Sequence, residues 1–529
     1  MSNAVYIYRS MQFDGNIYVK IECDEEIGSA HLTLSRDGKP FTTTSIRSKE
    51  CVFRNMAEGS YQVEAKITLQ DQQLVTSSSQ AITIDSAIIK SSAANTIQIP
   101  ADEQQRVYLN VKNHFLEVQV DGQNLDQLRE DIGLLLSGIC AVEAFTLTLS
   151  EESVGVSNVA SRSETCIVNA AFPLDDIVRI SQELEKLAYV RYCIVVPDTT
   201  DMLPPPPPVL PPFLREEQAQ AETSSALAET AGGWSSTPDF TGLQTYLNAG
   251  LGMNVKSAWD RGITGRGATV RHLDFGVYRN HEDLKGNITV INSRPQHWDC
   301  DHGTASVGCI SAIKNNSGVT GIAHGCHLYF YEIDDINLIL RDVSAGDIVS
   351  LDIQLSVRRG LVPVIDSRHW WQKINAIVNK GAVVILAAGN GGLDLSRSSG
   401  ALNDYGDSGS ILVGACHHSS GTRVGFSNYN HTTSLINSWG DWSVASTGYG
   451  DLQNLGDERS YTKNYAGTSS ATPLCAGALA LIQSYAIQYR GIYLNSRQMR
   501  DLIIRTGYRE GTGSGIGYRP NVDAAIASL

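Results

Sequence analysis

The run Leu203-Pro-Pro-Pro-Pro-Pro-Val-Leu-Pro-Pro212 constrains this chain more than any other feature. Proline has no backbone N–H and clashes with the preceding turn of a helix, so the run fits neither a helix nor the interior of a sheet. It is expected to extend as polyproline II and to act as a semi-rigid spacer. Behind it, Arg215 to Ser236 is rich in Glu, Ala, Gln, Ser and Thr and reads as a solvated linker or a loosely held helix. Residues 201–238 are therefore expected to join separately folded parts. A chain of 529 residues with 42% hydrophobic and 18% charged residues carries enough apolar material for several cores.

Upstream of the run the pattern changes once. Residues 4–85 alternate apolar and polar positions in short stretches, such as Asn16-Ile-Tyr-Val-Lys-Ile-Glu22 and Tyr61-Gln-Val-Glu-Ala-Lys-Ile67, separated by turn formers such as Arg36-Asp-Gly-Lys-Pro40. That period of two predicts an antiparallel β-sandwich over residues 1–95, serving as an accessory binding or spacing module. Residues 106–197 instead read β, helix, β, β, helix, β. The helical stretches carry apolar residues at spacings of three and four, Leu125, Leu128, Ile132 and Leu136 in the first and Ile177, Ile180, Leu184 and Leu187 in the second. This order predicts a ferredoxin-like α+β domain over residues 100–200.

Downstream, residues 239–529 alternate short apolar strands with helices: ATVRHLDFG, a helix opening at HGTASVGCISAI, AVVILAAGN, SILVGA, and the helix SSATPLCAGALALIQSYAI. Such alternation predicts an α/β domain, a mainly parallel sheet with helices on both faces. Ligands and catalytic groups then belong at the carboxyl ends of the strands.

Composition removes some function classes. A net charge of −15 without a Lys/Arg cluster argues against a nucleic-acid partner. No stretch approaches the roughly 18 uninterrupted apolar residues of a membrane helix, so no membrane partner is expected. The ten cysteines are scattered, with no CxxC pair, and the amino terminus lacks a basic segment followed by an apolar one. A cytoplasmic location is expected on these grounds, with export lacking a recognisable signal as the alternative.

Three short motifs carry chemistry. Asp274 closes a strand in Val270-Arg-His-Leu-Asp-Phe-Gly276, where Gly276 permits an immediate turn. His302 stands at a helix start in Asp301-His-Gly-Thr-Ala305, with Gly303 expected to leave open space beside the ring. Ser469, in Ala466-Gly-Thr-Ser-Ser-Ala-Thr-Pro473, opens a helix of small residues, where the helix dipole favours developing negative charge. Each alone reads more readily as a cap, turn or packed polar group. Their order Asp, His, Ser on an α/β background is one that builds a nucleophilic triad. A metal site from Asp299, Cys300, Asp301 and His302 is the competing assignment, with poor geometry because the four are adjacent.

The region from about Trp259 to Thr506 resembles the catalytic domain of the subtilisin-like serine proteases, the subtilases. The matching motifs are HLDFGVYRNHEDL, DHGTASVGCISAIKNNSGVTGIAH, ILAAGN and GTSSATPLCAGALALI. The resemblance implies a serine endopeptidase acting on protein or peptide substrates, with Asp274, His302 and Ser469 as triad and Asn390 donating its side-chain amide to the oxyanion. It places the nucleophile at Ser469 rather than Ser470. It also implies a substrate-binding role for Gly389 and for the strand Ile348-Val-Ser-Leu-Asp-Ile-Gln354. There Ser350 and Leu351 are followed by Asp352 and Ile353 where many relatives have two glycines. Either the backbone differs in shape at Asp352 or its carboxylate lies near the substrate.

Asn315-Asn-Ser-Gly-Val-Thr-Gly321 is similar to the family's calcium loop but one residue short. No cofactor or metal is expected, calcium being the one ion the loop would suit. Ser356 to Trp371 is expected to be an added surface loop. A ferredoxin-like domain before the catalytic one is similar in position to the family's inhibitory propeptide, an intramolecular partner whose tail, from Asp198 onward, runs through the cleft. The chain is then a zymogen. The alternative is a catalytically silent scaffold of the same fold.

Overall fold

The computed structural model describes residues 3–23, 25–85, 107–122, 124–142, 144–149, 163–209, 236–397, 405–431 and 435–529. Most of the linker expected from Arg215 to Ser236 lies outside the described residues.

Seven parallel strands form the central sheet, in the order Ile288–Val290, His327–Glu332, Thr269–Asp274, Ile348–Leu351, Val383–Ala387, Ile411–Cys416 and Leu435–Trp439. The strands read as near-continuous apolar runs because both faces are covered. Successive residues serve opposite cores. Val270, Ile348, Val383 and Ile385 pack with the helices Asp301–Ser311 and Thr468–Tyr485. Leu273, Val349, Val384 and Leu386 pack with the helices Ile336–Asp342 and Arg368–Asn379. The helical span Thr468–Arg490, which begins with the helix Thr468–Tyr485, is long and apolar enough to cross a membrane by length and composition, and it is mostly buried in the core.

The stretch from Ser356 to Trp371 is not a surface loop. Gln354–Val357 and Gly360–Pro363 pair as an antiparallel hairpin with Arg358 and Arg359 exposed at its turn. Trp370 and Trp371, in the first turn of the following helix, are buried. Gly360 at φ 132° permits the tight turn, and two indoles are too costly to leave in water.

The region before the proline run contains a four-stranded antiparallel sheet in the order Phe145–Leu149, Ser163–Ala170, His114–Asp121 and Val190–Pro197. The helices Leu125–Ile139 and Leu174–Glu185 share one core with it, burying Leu128, Ile132, Leu136, Ile177, Ile180 and Leu184. Residues 4–84 form two further sheets around a single core that includes Ile17, Val19, Leu32, Leu34, Tyr61 and Val63. One of these sheets is extended by the α/β region itself, since Ala4–Ser10 pairs in parallel with Ile492–Tyr493. Glu22 also receives Arg266 at 2.9 Å. The amino-terminal sheets are thus seated on the α/β region rather than tethered to it.

Candidate active site

Asp274 ends the central strand Thr269–Asp274 and is fully buried. His302 lies in the first turn of the helix Asp301–Ser311, and its Nδ1 sits 2.6 Å from Asp274 Oδ1. The same oxygen accepts the Phe275 backbone N–H at 2.7 Å, and Oδ2 lies 3.0 Å from His272 Nε2. Burial alone would raise the Asp274 carboxyl, but the His302 and His272 rings together hold it well below the ordinary carboxylate range. Its carboxylate is therefore ionised across the physiological range and fixes the ring of His302.

The close approach of helix and strand depends on glycine. A Cβ at Gly303 would stand 2.0 Å from the carbonyl oxygen of Gly276. The space beside the imidazole expected at Gly303 is therefore not open; it is filled by backbone.

His302 Nε2, the nitrogen facing away from Asp274, has no hydrogen-bond partner among the described residues. His302, Ser469 and Asn390 line one cavity of about 160 Å³, whose other walls include Trp442, Tyr449, Tyr465 and Pro205 to Pro208. Ser469 is the second residue of the helix Thr468–Tyr485, entered through Gly467 at φ 92°. Asn390 follows the strand Val383–Ala387. Its side-chain oxygen accepts the Thr468 N–H and hydroxyl, each at 2.9 Å, which leaves its NH₂ group as the donor beside Ser469. Ser470 is occupied elsewhere, its hydroxyl donating to Trp439 O at 3.0 Å and Gly467 O at 3.1 Å in the buried core.

The strand expected to border the substrate is placed differently. Ser350, Leu351 and Asp352 are completely buried, and neither they nor Gly389 lines the cavity over Ser469. Asp352 lies beside Asp274 and His272, where Oδ2 accepts the Ser306 hydroxyl at 3.0 Å and Oδ1 has no partner among the described residues. Burial, then the nearby charge of Asp274, pushes the Asp352 carboxyl well above the ordinary range. A second negative charge beside Asp274 is costly without a cation, which favours the protonated form of Asp352. Ser306 also meets Tyr465 OH at 2.7 Å. Asp352, Ser306 and Tyr465 thus form a chain of polar groups from beside Asp274 to the cavity wall.

Sequence reasoning missed His272, Ser306, Tyr465 and Trp442. His272 was within reach, because residues two apart on a strand share a face. The others come together only through the packing of distant segments.

Among the described residues, one cluster brings three metal-type ligands within 4.8 Å, namely His272, Asp274 and Asp352. Both Asp274 oxygens already have partners in His272, His302 and the Phe275 N–H. The alternative set around Cys300 disperses: Asp301 Oδ1 accepts the Tyr449 N–H at 2.7 Å, and burial pushes the Cys300 thiol up to about 12. In the loop similar to a calcium site, Asp283 accepts the Val319 N–H at 2.8 Å and the Asn315 amide at 3.1 Å.

A family model described as the Subtilase family matches residues 265–518. Among curated proteins, the chain is 28% identical over 338 residues to an extracellular basic protease of Dichelobacter nodosus, covering 52% of this chain and 53% of that protein. It is 30% identical over 255 residues to a thermostable alkaline protease of Halalkalibacterium halodurans, covering 46% and 64%. It is 27% identical over 300 residues to an extracellular protease of Xanthomonas campestris pv. campestris, covering 47% and 50%. The chain spans between one half and two thirds of the length of these relatives. Relatives named extracellular overturn the expectation of a cytoplasmic location and point to export. His302 is bonded to Asp274 and lines one cavity with Ser469, the family model spans all three residues, and residues 265–518 are thus similar to the subtilase family.

Proposed function

We propose that the protein is a serine endopeptidase that cleaves peptide bonds through an acyl-enzyme on Ser469. The observation that carries this reading is His302, anchored to Asp274 at 2.6 Å through one nitrogen while the other is unpartnered in the cavity shared with Ser469. Ser469 Oγ attacks the substrate carbonyl as His302 takes its proton, and Asp274 holds the ring and steadies its positive form. The Asn390 NH₂ group and the amides at the start of the Ser469 helix receive the negative charge on the tetrahedral oxygen. His302 then returns the proton to the leaving amine, and water repeats the sequence on the ester.

The same proposal includes self-inhibition by the region over residues 100–200, with its ferredoxin-like order. Its support is the way this region sits on the catalytic one. Glu185 meets Arg368 at 2.6 Å and Glu117 meets His369 at 3.6 Å, both at the amino end of the helix Arg368–Asn379. Leu109 N–H donates to Ser356 O at 2.7 Å and Ser356 N–H to Asn110 Oδ1 at 2.8 Å. Asn110 also reaches Gln354 O at 3.3 Å, and Gln354 Oε1 accepts the Asn390 N–H at 2.8 Å. The docked segment is thereby linked to the oxyanion donor. The proline run then crosses the mouth of the cleft, so it is more than a spacer.

Full-length protein and its Ser469→Ala variant, incubated with an unfolded protein and a fluorophosphonate probe, test the reading. Labelling of the wild-type chain alone, with mass spectrometry placing a cut between residues 198 and 240, is expected. A processed wild-type chain that neither takes the label nor degrades the substrate overturns the protease reading in favour of the silent scaffold.

A further inference from the structure

We propose that the cleft over Ser469 contains a binding subsite for proline-rich peptide in the polyproline II conformation, walled by Trp442, Tyr449 and Tyr465, with Pro205–Pro208 as its built-in ligand. This deepens the protease reading and rests on it, since it names a class of peptide that the same cleft holds.

The chemistry of the strap and of the wall match. Prolines 204 to 208 have no N–H to donate, so the run offers only carbonyl acceptors and flat ring faces. A receptor for such a strand needs donors aimed at carbonyls and aromatic surface for the rings. Both are present. Trp442 Nε1–H donates to Pro208 O at 2.9 Å, and Arg294 donates to Met202 O at 3.4 Å at the other end of the strap. Between these anchors, Pro205 to Pro208 close the cavity against Trp442, Tyr449 and Tyr465.

The wall is held in shape before any ligand is considered. Tyr449 and Tyr465 lie at 5.8 Å and 34°, and Phe426 meets Trp442 edge-on at 5.8 Å. Trp442 and Tyr449 both have left-handed backbone, at φ 63° and φ 60°. A bulky side chain adopts that conformation only when its surroundings enforce it, and such residues gather at ligand clamps. Two of the three aromatic walls carry this strain.

The occupant is also poorly suited to being cut. An extended substrate pairs with a cleft through its N–H groups, and a proline run has none. Every amide within it is tertiary, its nitrogen locked in a ring. The strap therefore fills the cleft as an uncleaved ligand, and a proline-rich peptide supplied from outside competes for the same place.

The test uses full-length Ser469→Ala protein, so that it does not depend on turnover. A fluorescein-labelled peptide, Leu-Pro-Pro-Pro-Pro-Pro-Val-Leu, is followed by anisotropy. With Pro205, Pro206, Pro207 and Pro208 all changed to Ser, saturable binding is expected, weaker by about tenfold or more when the native strap is present to compete. Adding Trp442→Phe, which keeps an aromatic ring and loses the indole donor, is expected to weaken binding about fivefold to tenfold. No saturable binding to the Ser-strap protein, equal binding of the peptide with alanine in place of proline, or an unchanged affinity in Trp442→Phe each overturns the proposal. Fluorophosphonate labelling of the matching proteins that retain Ser469 keeps the two readings apart. Label without peptide binding sinks the subsite alone, and peptide binding without label sinks the protease reading alone.

Discussion

The parallel sheet of residues 269–439 and the antiparallel sheet of residues 114–197 use carboxylates in opposite ways. In the parallel sheet Asp274 and Asp352 are completely buried, and among the described residues no Arg or Lys is bonded to them and only imidazoles, a hydroxyl and a backbone amide satisfy them. The Asp274 carboxyl is held below the ordinary range and the Asp352 carboxyl above it. In the antiparallel sheet region Glu117 and Glu185 face His369 and Arg368 across a docking surface. A buried charge without a counter-cation is tolerated where chemistry needs a base to be steered. A paired charge between separate sheets serves recognition instead, and can be released.

The comparison breaks most plainly at Asp274. Asp274→Asn keeps the volume but offers His302 the wrong hydrogen-bond pattern, and is expected to lower kcat by about 10⁴ in the processed enzyme. A loss below about tenfold would mean that the buried carboxylate is structural. Asn390→Ala removes the donor held beside Ser469 by Thr468, and should cost about 10² to 10³ in kcat with little change in KM. Measured kinetics with the loss in KM alone would move Asn390 from the oxyanion to ground-state binding.

On the docking side the effects are smaller. Glu185→Gln leaves Arg368 facing a neutral partner at a contact where both side chains are largely buried, costing about 2 kcal/mol. The rate of fluorophosphonate labelling in the uncut chain should rise by up to about thirtyfold. No change would show that this pair does not hold residues 114–197 in place over the cleft.

A pH prediction comes last. Burial pushes Asp283 up to about 6 in the folded state. Its folded value lies above its unfolded value, so its contribution to stability is full below about pH 4 and is lost as pH rises through about 6. Asp283→Asn removes that component. The difference in Tm between pH 4.5 and pH 7.5 should therefore differ between wild type and variant, and identical differences would show that the loop holding Asp283 does not sense its charge.

Much was legible before any coordinates were considered. The periods of two and of three to four marked strands and helices, since they report directly which side chains must leave water. The motifs around Asp274, His302, Asn390 and Ser469 were readable because each is local: a strand end, a helix start, a glycine at the one place where backbones touch. Asp352 was visible as a departure from the family pattern, but the direction of its side chain was not. A carboxylate one residue past a strand end can face the cleft or the core, and only the packing of Ser306 and Tyr465 against it decides. The hairpin and helix replacing an expected loop at Ser356–Trp371 were hidden for the same reason, because burial of Trp370 and Trp371 depends on surfaces far away in the chain.

The proline run shows the division most clearly. By itself the sequence determined that residues 204–208 are extended, donorless and unable to join a helix or a central strand, because ring closure at proline is a covalent property. Only the tertiary structure decided where that strap lies. Its position over Ser469 is set by Arg294 and Trp442, which are 90 and more than 230 residues away along the chain from Pro204 and Pro208, and by aromatic walls that do not exist until the sheet has formed.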